Sequence, residues 1–290
     1  GGAGVDGVGG SRGALRRPEM SQDILQWPDL AASRTGQPRL DVVAPAGLAQ
    51  PAPTVLVLHG GGFRFGSRKA VSVQAFARAL AAEHGMVAVP ASYRLNAPWP
   101  EPLEDIRAAI AWCRANIARF GGDPDRLALL GHSAGAFVAI KAAISPGDDL
   151  GTRSSIRAAV GVSGLYDVDH FVNAVPGGRR FLAPLLGSAG SSAEIPTELR
   201  LTNSPELLKF DGQLLLLLAE HELPLLAGDA VELWKSPRRR QCVLRQVPEA
   251  DHVSIMEESV THRVVAEFIW SACKVTTKQR PPNGPGSPTN

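Results

Sequence analysis

The chain has 290 residues, 44% of them hydrophobic, and a formal net charge of +2 with both signs mixed. That supplies enough apolar side chains for a substantial core, and it implies no nucleic-acid or membrane-surface partner. The length exceeds the usual domain size, but one large α/β domain accommodates it.

Residues 1–22 open with "GGAGVDGVGGSRGALRRPEM" and lack a signal-peptide core, so a flexible leader is expected. Residues 23–274 are expected to form a single domain, and the Pro/Gly/Ser-rich residues 275–290 a disordered tail. Within the domain, the first strands read as an antiparallel lead-in, "RLDVVAP" (39–45) being one. "TVLVLH" (54–59), "MVAVPAS" (86–92), "RLALLG" (126–131), "RAAVGVS" (157–163), "QLLLLLA" (213–219) and "CVLRQV" (242–247) have strand length. They lack strict polar alternation, which suits strands buried on both faces. Helical stretches are expected at 71–84, 102–120, 134–144 and 254–272. Such alternation predicts a mostly parallel sheet with helices on both faces and ligands at the carboxyl ends of its strands. Residues 164–204 are too long for a simple connection and are expected to form a small insert over the site. The run "KSPRRRQ" (235–241) reads as a solvated loop or helix end.

"GHSAG" (131–135) fits G-x-S-x-G between a β-run and a helical run. In that pattern the serine occupies a strained corner, and the glycines allow two backbone segments to come close. Ser133 is therefore the candidate nucleophile. Ala134, at the helix start, has an N–H without an intrahelical partner. A bland strand-to-helix turn with an N-capping serine is the competing reading.

"HGGG" (59–62) directly follows the strand at 54–58. Consecutive glycines leave backbone N–H groups unshielded, as is needed where a carbonyl oxygen gains charge. The phosphate-loop and dinucleotide patterns are absent.

Ser133 needs a base. His252, in "EADHVSIMEE", comes after the last strand and so at the same sheet edge. His132 is directed sideways by the corner, His59 anchors its loop, and His170 lies in the insert. His84 and His262 read as surface or core residues. The orienting carboxylate is expected after the preceding strand, where "AEHELP" offers Glu220 and Glu222, of which Glu222 is favoured. Asp251 reads as a turn residue. The order Ser133, Glu222, His252 is nucleophile, acid, base.

Cys113, Cys242 and Cys273 have no metal-type or paired spacing, which fits a reducing, cytoplasmic setting. No apolar run reaches the roughly 18 residues of a membrane span.

The segments "HGGGFRFGS", "SYRLNAPWPEPLEDIRAAIAWCRANIARFGGDPDRLALLGHSAGA" and the final "DH" resemble the esterase/lipase branch of the α/β-hydrolase fold over about 39–269. They are similar to hormone-sensitive-lipase-like enzymes, type-B carboxylesterases and kynurenine formamidases. The resemblance implies Ser133 as nucleophile, His252 as base and Glu222 as acid. It also implies an oxyanion hole from the N–H groups of Gly61, Gly62 and Ala134, and scaffold roles for Pro100 and Asp105. His132 stands where the lipase-like enzymes usually carry Asp. The expected function is a serine esterase acting on small carboxylic esters, with an aryl-formamide amidase or a lactone hydrolase as the alternative. A catalytically silent binding module is a third reading. Phe63, Phe65, Trp99 and Phe171 are candidate pocket walls. The expected partner is a small ester or amide, with a homodimer left open, and no metal or other cofactor is called for.

Overall fold

The computed structural model describes residues 18–274 except 22, 34, 146–154, 188–193, 203 and 237–241. The leader expected before residue 18, the tail after 274 and most of the basic run at 235–241 lie outside the described residues.

Among the described residues nine strands, β1 to β9 in chain order, form one sheet in the order β1-β2-β3-β5-β4-β6-β7-β8-β9. The first three are β1 (Glu19–Ser21), β2 (Ile24–Ala31) and β3 (Arg39–Pro45). They are antiparallel, and β3 pairs antiparallel with β5 (Val87–Ala91). From β5 onward the sheet is parallel, through β4 (Ala52–Leu58), β6 (Gly122–His132), β7 (Ile156–Val162), β8 (Gln213–His221) and β9 (Cys242–Asp251).

The central strands lack polar alternation because both faces are covered. All of β4 is buried: Leu56 and Leu58 join the core on one face, and Val55 and Val57 the core on the other. Helices α1 (Val71–Ala82) and α7 (Ser259–Ala272) cover the second face. In α1, Val73, Phe76, Ala77 and Leu80 recur at the spacing of a single helical stripe. Helices α2 (Glu101–Asn116), α3 (Ala134–Ile144) and α6 (Pro224–Lys235) cover the first face.

The insert contributes two short helices, α4 (Val168–Ala174) and α5 (Gly178–Leu186). Helix α4 starts at an N-capping Asp167, whose carboxylate accepts the His170 N–H. His170 Nδ1 lies 2.6 Å from Asp229 Oδ1 and ties α4 to α6.

Some bounds differ from expectation. The helix expected at 102–120 ends at Asn116 and tightens into a 3-10 turn, closed by Gly121 at φ 81°. The one expected at 254–272 is a 3-10 turn followed by α7. Strands β1 and β2 extend the expected antiparallel lead-in, and helix α6 adds an element where the sequence reading expects none. The β2 pattern is broken by a register shift between Trp27 and Leu30, and α6 carries Gly228 mid-length. Among the described residues no helix is long and apolar enough to cross a membrane.

Candidate active site

Ser133 is the single residue between β6 and α3, with φ 52° and ψ −120°. It is pinned there by its own backbone. Its N–H donates to the Val162 carbonyl at 2.9 Å, and its carbonyl accepts from Ala136 and Leu165 at 3.0 and 3.2 Å. Strand and helix meet so tightly that a β-carbon on Gly131 would fall 2.5 Å from the Ala136 nitrogen. Only glycine fits, and the serine side chain is thereby thrust out at the sheet edge.

His252 Nε2 lies 3.2 Å from Ser133 Oγ. The histidine is held by the turn that ends β9, where Asp251 Oδ1 accepts the N–H groups of Val253 and Ser254, each at 2.8 Å. His132 reaches sideways and its Nε2–H donates to the His252 carbonyl at 2.7 Å, fixing that loop from behind. This bond leaves His132 Nδ1 without a proton in the neutral ring. Burial, and then the nearby His252 charge, lower the His132 pKa to about 4, so it stays neutral beside any imidazolium.

His252 Nδ1 lies 2.9 Å from Glu222 Oε1, which also accepts the Leu223 N–H at 2.9 Å. Burial by itself would push the Glu222 carboxyl up. The hydrogen bond from His252, the neighbouring Ser163 hydroxyl and the Leu223 N–H outweigh burial and hold it below its ordinary value. Even so, Glu222 Oε2 and Ser163 Oγ are both buried without a well-formed hydrogen bond. Glu220 turns elsewhere. Its Oε2 accepts the Glu249 N–H at 2.7 Å, where β9 takes a positive φ of 59°.

Gly61 and Gly62, at φ 113° and 61°, carry the loop after β4 past the serine. The Gly61 carbonyl is tied up inside that loop by the N–H groups of Arg64 and Phe65 at 3.1 and 3.0 Å. His59 is buried beneath, stacked on Tyr93 at 4.4 Å, with the Tyr93 hydroxyl donating to its carbonyl.

Gly61, Gly62, Ser133, Ala134 and His252 all line one cavity of about 340 Å³. The arrangement offers a hydroxyl, an acceptor for its proton and unshielded amides at one point, which suits acyl transfer.

Of the four expected pocket walls only Phe171 lines this cavity. Phe63 is a correction: it is 2% exposed and packs edge-on against Phe137. Trp99 is another, packing against the same ring at 5.3 Å and lining a separate cavity of about 530 Å³ with Lys141. Phe65 is also corrected, being 63% exposed. The actual walls are Leu165, Phe171, Phe181 and Leu182 from the insert, and Leu223, Leu226 and Val253 beside Glu222 and His252. The apolar spacing of Phe181, Leu182, Leu185 and Leu186 was the available signal for a helix over the site. A larger cavity of about 730 Å³, lined by His170 and Asp229 among others, does not touch Ser133.

Two further histidines make contacts away from Ser133. His262 Nε2–H donates to the Met256 carbonyl at 2.9 Å, and the His84 carbonyl accepts from the Trp270 indole. Asp105 accepts the Arg94 N–H at 2.7 Å and its guanidinium at 3.0 Å, anchoring the loop before α2. Among the described residues no group of three or more His, Cys, Asp or Glu side chains is placed to hold a metal ion.

The chain is similar to Esterase LipC of Mycobacterium tuberculosis, 38% identical over 128 residues that make up 41% of this chain and 31% of that protein. It is also similar to Carboxylesterase NlhH of the same organism, 33% identical over 45% of this chain and 43% of the relative. The matches thus span well under half the length of these curated relatives. Among solved structures, brefeldin A esterase, described as a bacterial homologue of human hormone sensitive lipase, superposes with a TM-score of 0.74. That match has 18% identity and covers 90% of this chain and 80% of the other. A truncated carbohydrate esterase from gut microbiota gives the same TM-score at 18% identity, covering 89% of this chain and 99% of its own. These likenesses establish the α/β-hydrolase fold. The family model described as BD-FAE matches residues 40–190, just over half of the chain, and the chain therefore belongs to the BD-FAE family of the α/β-hydrolase esterases and lipases.

Proposed function

We propose that this protein is a serine hydrolase of small carboxylic esters working through an acyl-enzyme. The observation that carries the reading is the relay from Ser133 Oγ to His252 Nε2 at 3.2 Å and from His252 Nδ1 to Glu222 at 2.9 Å. Ser133 Oγ attacks the ester carbonyl carbon while its proton passes to His252 Nε2. The carbonyl oxygen becomes an oxyanion, held by the N–H groups of Gly61, Gly62 and Ala134. As the intermediate collapses, the carbon–oxygen bond to the alcohol breaks and His252 returns the proton to the departing oxygen. Water then attacks the acyl-enzyme, giving its proton to His252, and Ser133 leaves with that proton restored. Glu222 keeps the imidazole in the needed tautomer and stabilises its charged form. The names of the relatives LipC and NlhH agree with ester chemistry. The buried thiols of Cys113 and Cys273 suit a reducing compartment.

The test is hydrolysis of nitrophenyl butyrate and labelling by a fluorophosphonate. Wild-type protein is expected to turn over and to be labelled at Ser133. Ser133→Ala is expected to lower kcat by about 10⁴-fold or more and to abolish labelling. An unchanged rate would end the proposal. A strong preference for N-formyl amides or lactones over butyrate would move the substrate class without moving the residues.

A further inference from the structure

The geometry points to Phe181 as the residue that limits the acyl group, while the alcohol group of the ester faces an open rim. This inference rests on the ester-hydrolase reading above.

The two sides of the cavity are distinguished by the chemistry. His252 must hand a proton to the departing alcohol oxygen, so the alcohol lies on the His252 side and the acyl group on the other. On the His252 side the wall is Leu223 and Val253, which are 55% and 68% exposed. Nothing encloses a bulky alcohol there among the described residues. The opposite walls, Leu165 and Leu182, are buried, with Phe171 and Phe181 completing them. Among the described residues no wall side chain on this side is charged or polar, so an uncharged apolar acyl chain fits and a sugar acid does not.

Phe181 stands at the critical point of that wall. Its ring lies so close over Gly62 that a β-carbon there would come within 2.5 Å of Cε1. The acyl chain, anchored by its carbonyl at the amides of that same loop, must pass this ring. Phe181 is also held in place. Arg64, two residues beyond Gly62, donates Nη1–H to the Phe181 carbonyl at 3.2 Å, and its guanidinium sits 5.5 Å from the ring centroid. Phe171 packs beside it at 6.4 Å. Together these contacts couple the insert helix to the glycine loop, making the end of the acyl pocket a fixed wall.

The experiment measures kcat/KM for nitrophenyl esters from acetate to decanoate, and for butyrates of methyl, hexyl and cyclohexylmethyl alcohols, whose leaving groups are similar in basicity and differ in bulk. The full chain is compared with Phe181→Ala and with Phe181→Leu, the milder change that keeps an apolar group over Gly62. The wild type is expected to fall steeply beyond short acyl chains and to vary little across the alcohols. In both variants the decanoate-to-butyrate ratio is expected to rise, by about tenfold or more in Phe181→Ala, with the alcohol ratios unchanged within about twofold. An unchanged acyl profile, or a change confined to the alcohols, overturns the assignment of Phe181. Failure of the wild type to label with fluorophosphonate or to cleave butyrate sinks the hydrolase reading instead, so the two failures are distinct.

Discussion

Glu220 and Glu222 sit two residues apart, and their backbone settings separate them. Glu220 belongs to the end of β8 and spends its carboxylate on the Glu249 N–H of the neighbouring strand. Glu222 lies past the ladder, where no strand pairing fixes its direction, and it turns under His252 with its side chain almost fully covered. Glu222→Gln is expected to lower kcat by about 10²–10⁴-fold, because a neutral amide neither fixes the tautomer nor offsets the imidazolium. Glu220→Gln is expected to stay within about tenfold of wild type, since it alters only a backbone contact. Steady-state kinetics on nitrophenyl butyrate check both, and equal losses would mean that the carboxylate role is misassigned.

At the scale of elements, the junction of β6 and α3 works together with the turn after β9. His132 is the link, through its hydrogen bond to the His252 carbonyl. Because folding lowers the His132 pKa from 6.5 to about 4, the unfolded chain takes up this proton first as pH drops. Stability is therefore expected to decline as pH falls from about 6.5 to 4, with His132 contributing about 3 kcal/mol of the loss at most. Urea unfolding of wild type and His132→Asn at pH 7 and pH 4.5 measures this. The variant should lose less on acidification, because its amide does not titrate and can still donate to the His252 carbonyl. The insert is tethered to the same region by the His170–Asp229 contact, which joins helix α4, carrying Phe171, to helix α6, carrying Leu226.

Across the whole molecule, the antiparallel lead-in is fastened to the glycine-loop region by a buried ion pair. Asp41 on β3 accepts Arg68 Nε at 3.0 Å, the Asp29 N–H at 2.8 Å and the Gln74 amide at 2.9 Å. Arg68 also reaches Asp29 at 2.6 Å. Both Arg68 and Asp41 are buried. Asp41→Asn is expected to cost about 2–4 kcal/mol of unfolding free energy, because it leaves a buried guanidinium only partly compensated. A urea denaturation series reads this directly, and a change below about 0.5 kcal/mol would show that Asp29 suffices alone.

The amino-acid sequence determined what local chemistry can specify. Apolar runs without polar alternation marked strands covered on both sides, and glycine clusters at their carboxyl ends marked the corner at Ser133 and the loop at Gly61 and Gly62. These signals are short-range, because sterics and solvation act on neighbouring residues. The span of the bulged β2 and the glycine-bearing α6 are not legible in the sequence because their local patterns are interrupted. Tertiary structure decided which groups share a space. Phe63 and Trp99 turned inward to Phe137, Phe181 swung over Gly62, and Glu222 rather than Glu220 met His252. Such choices depend on how distant elements pack against one another, and no spacing along the chain encodes that distance.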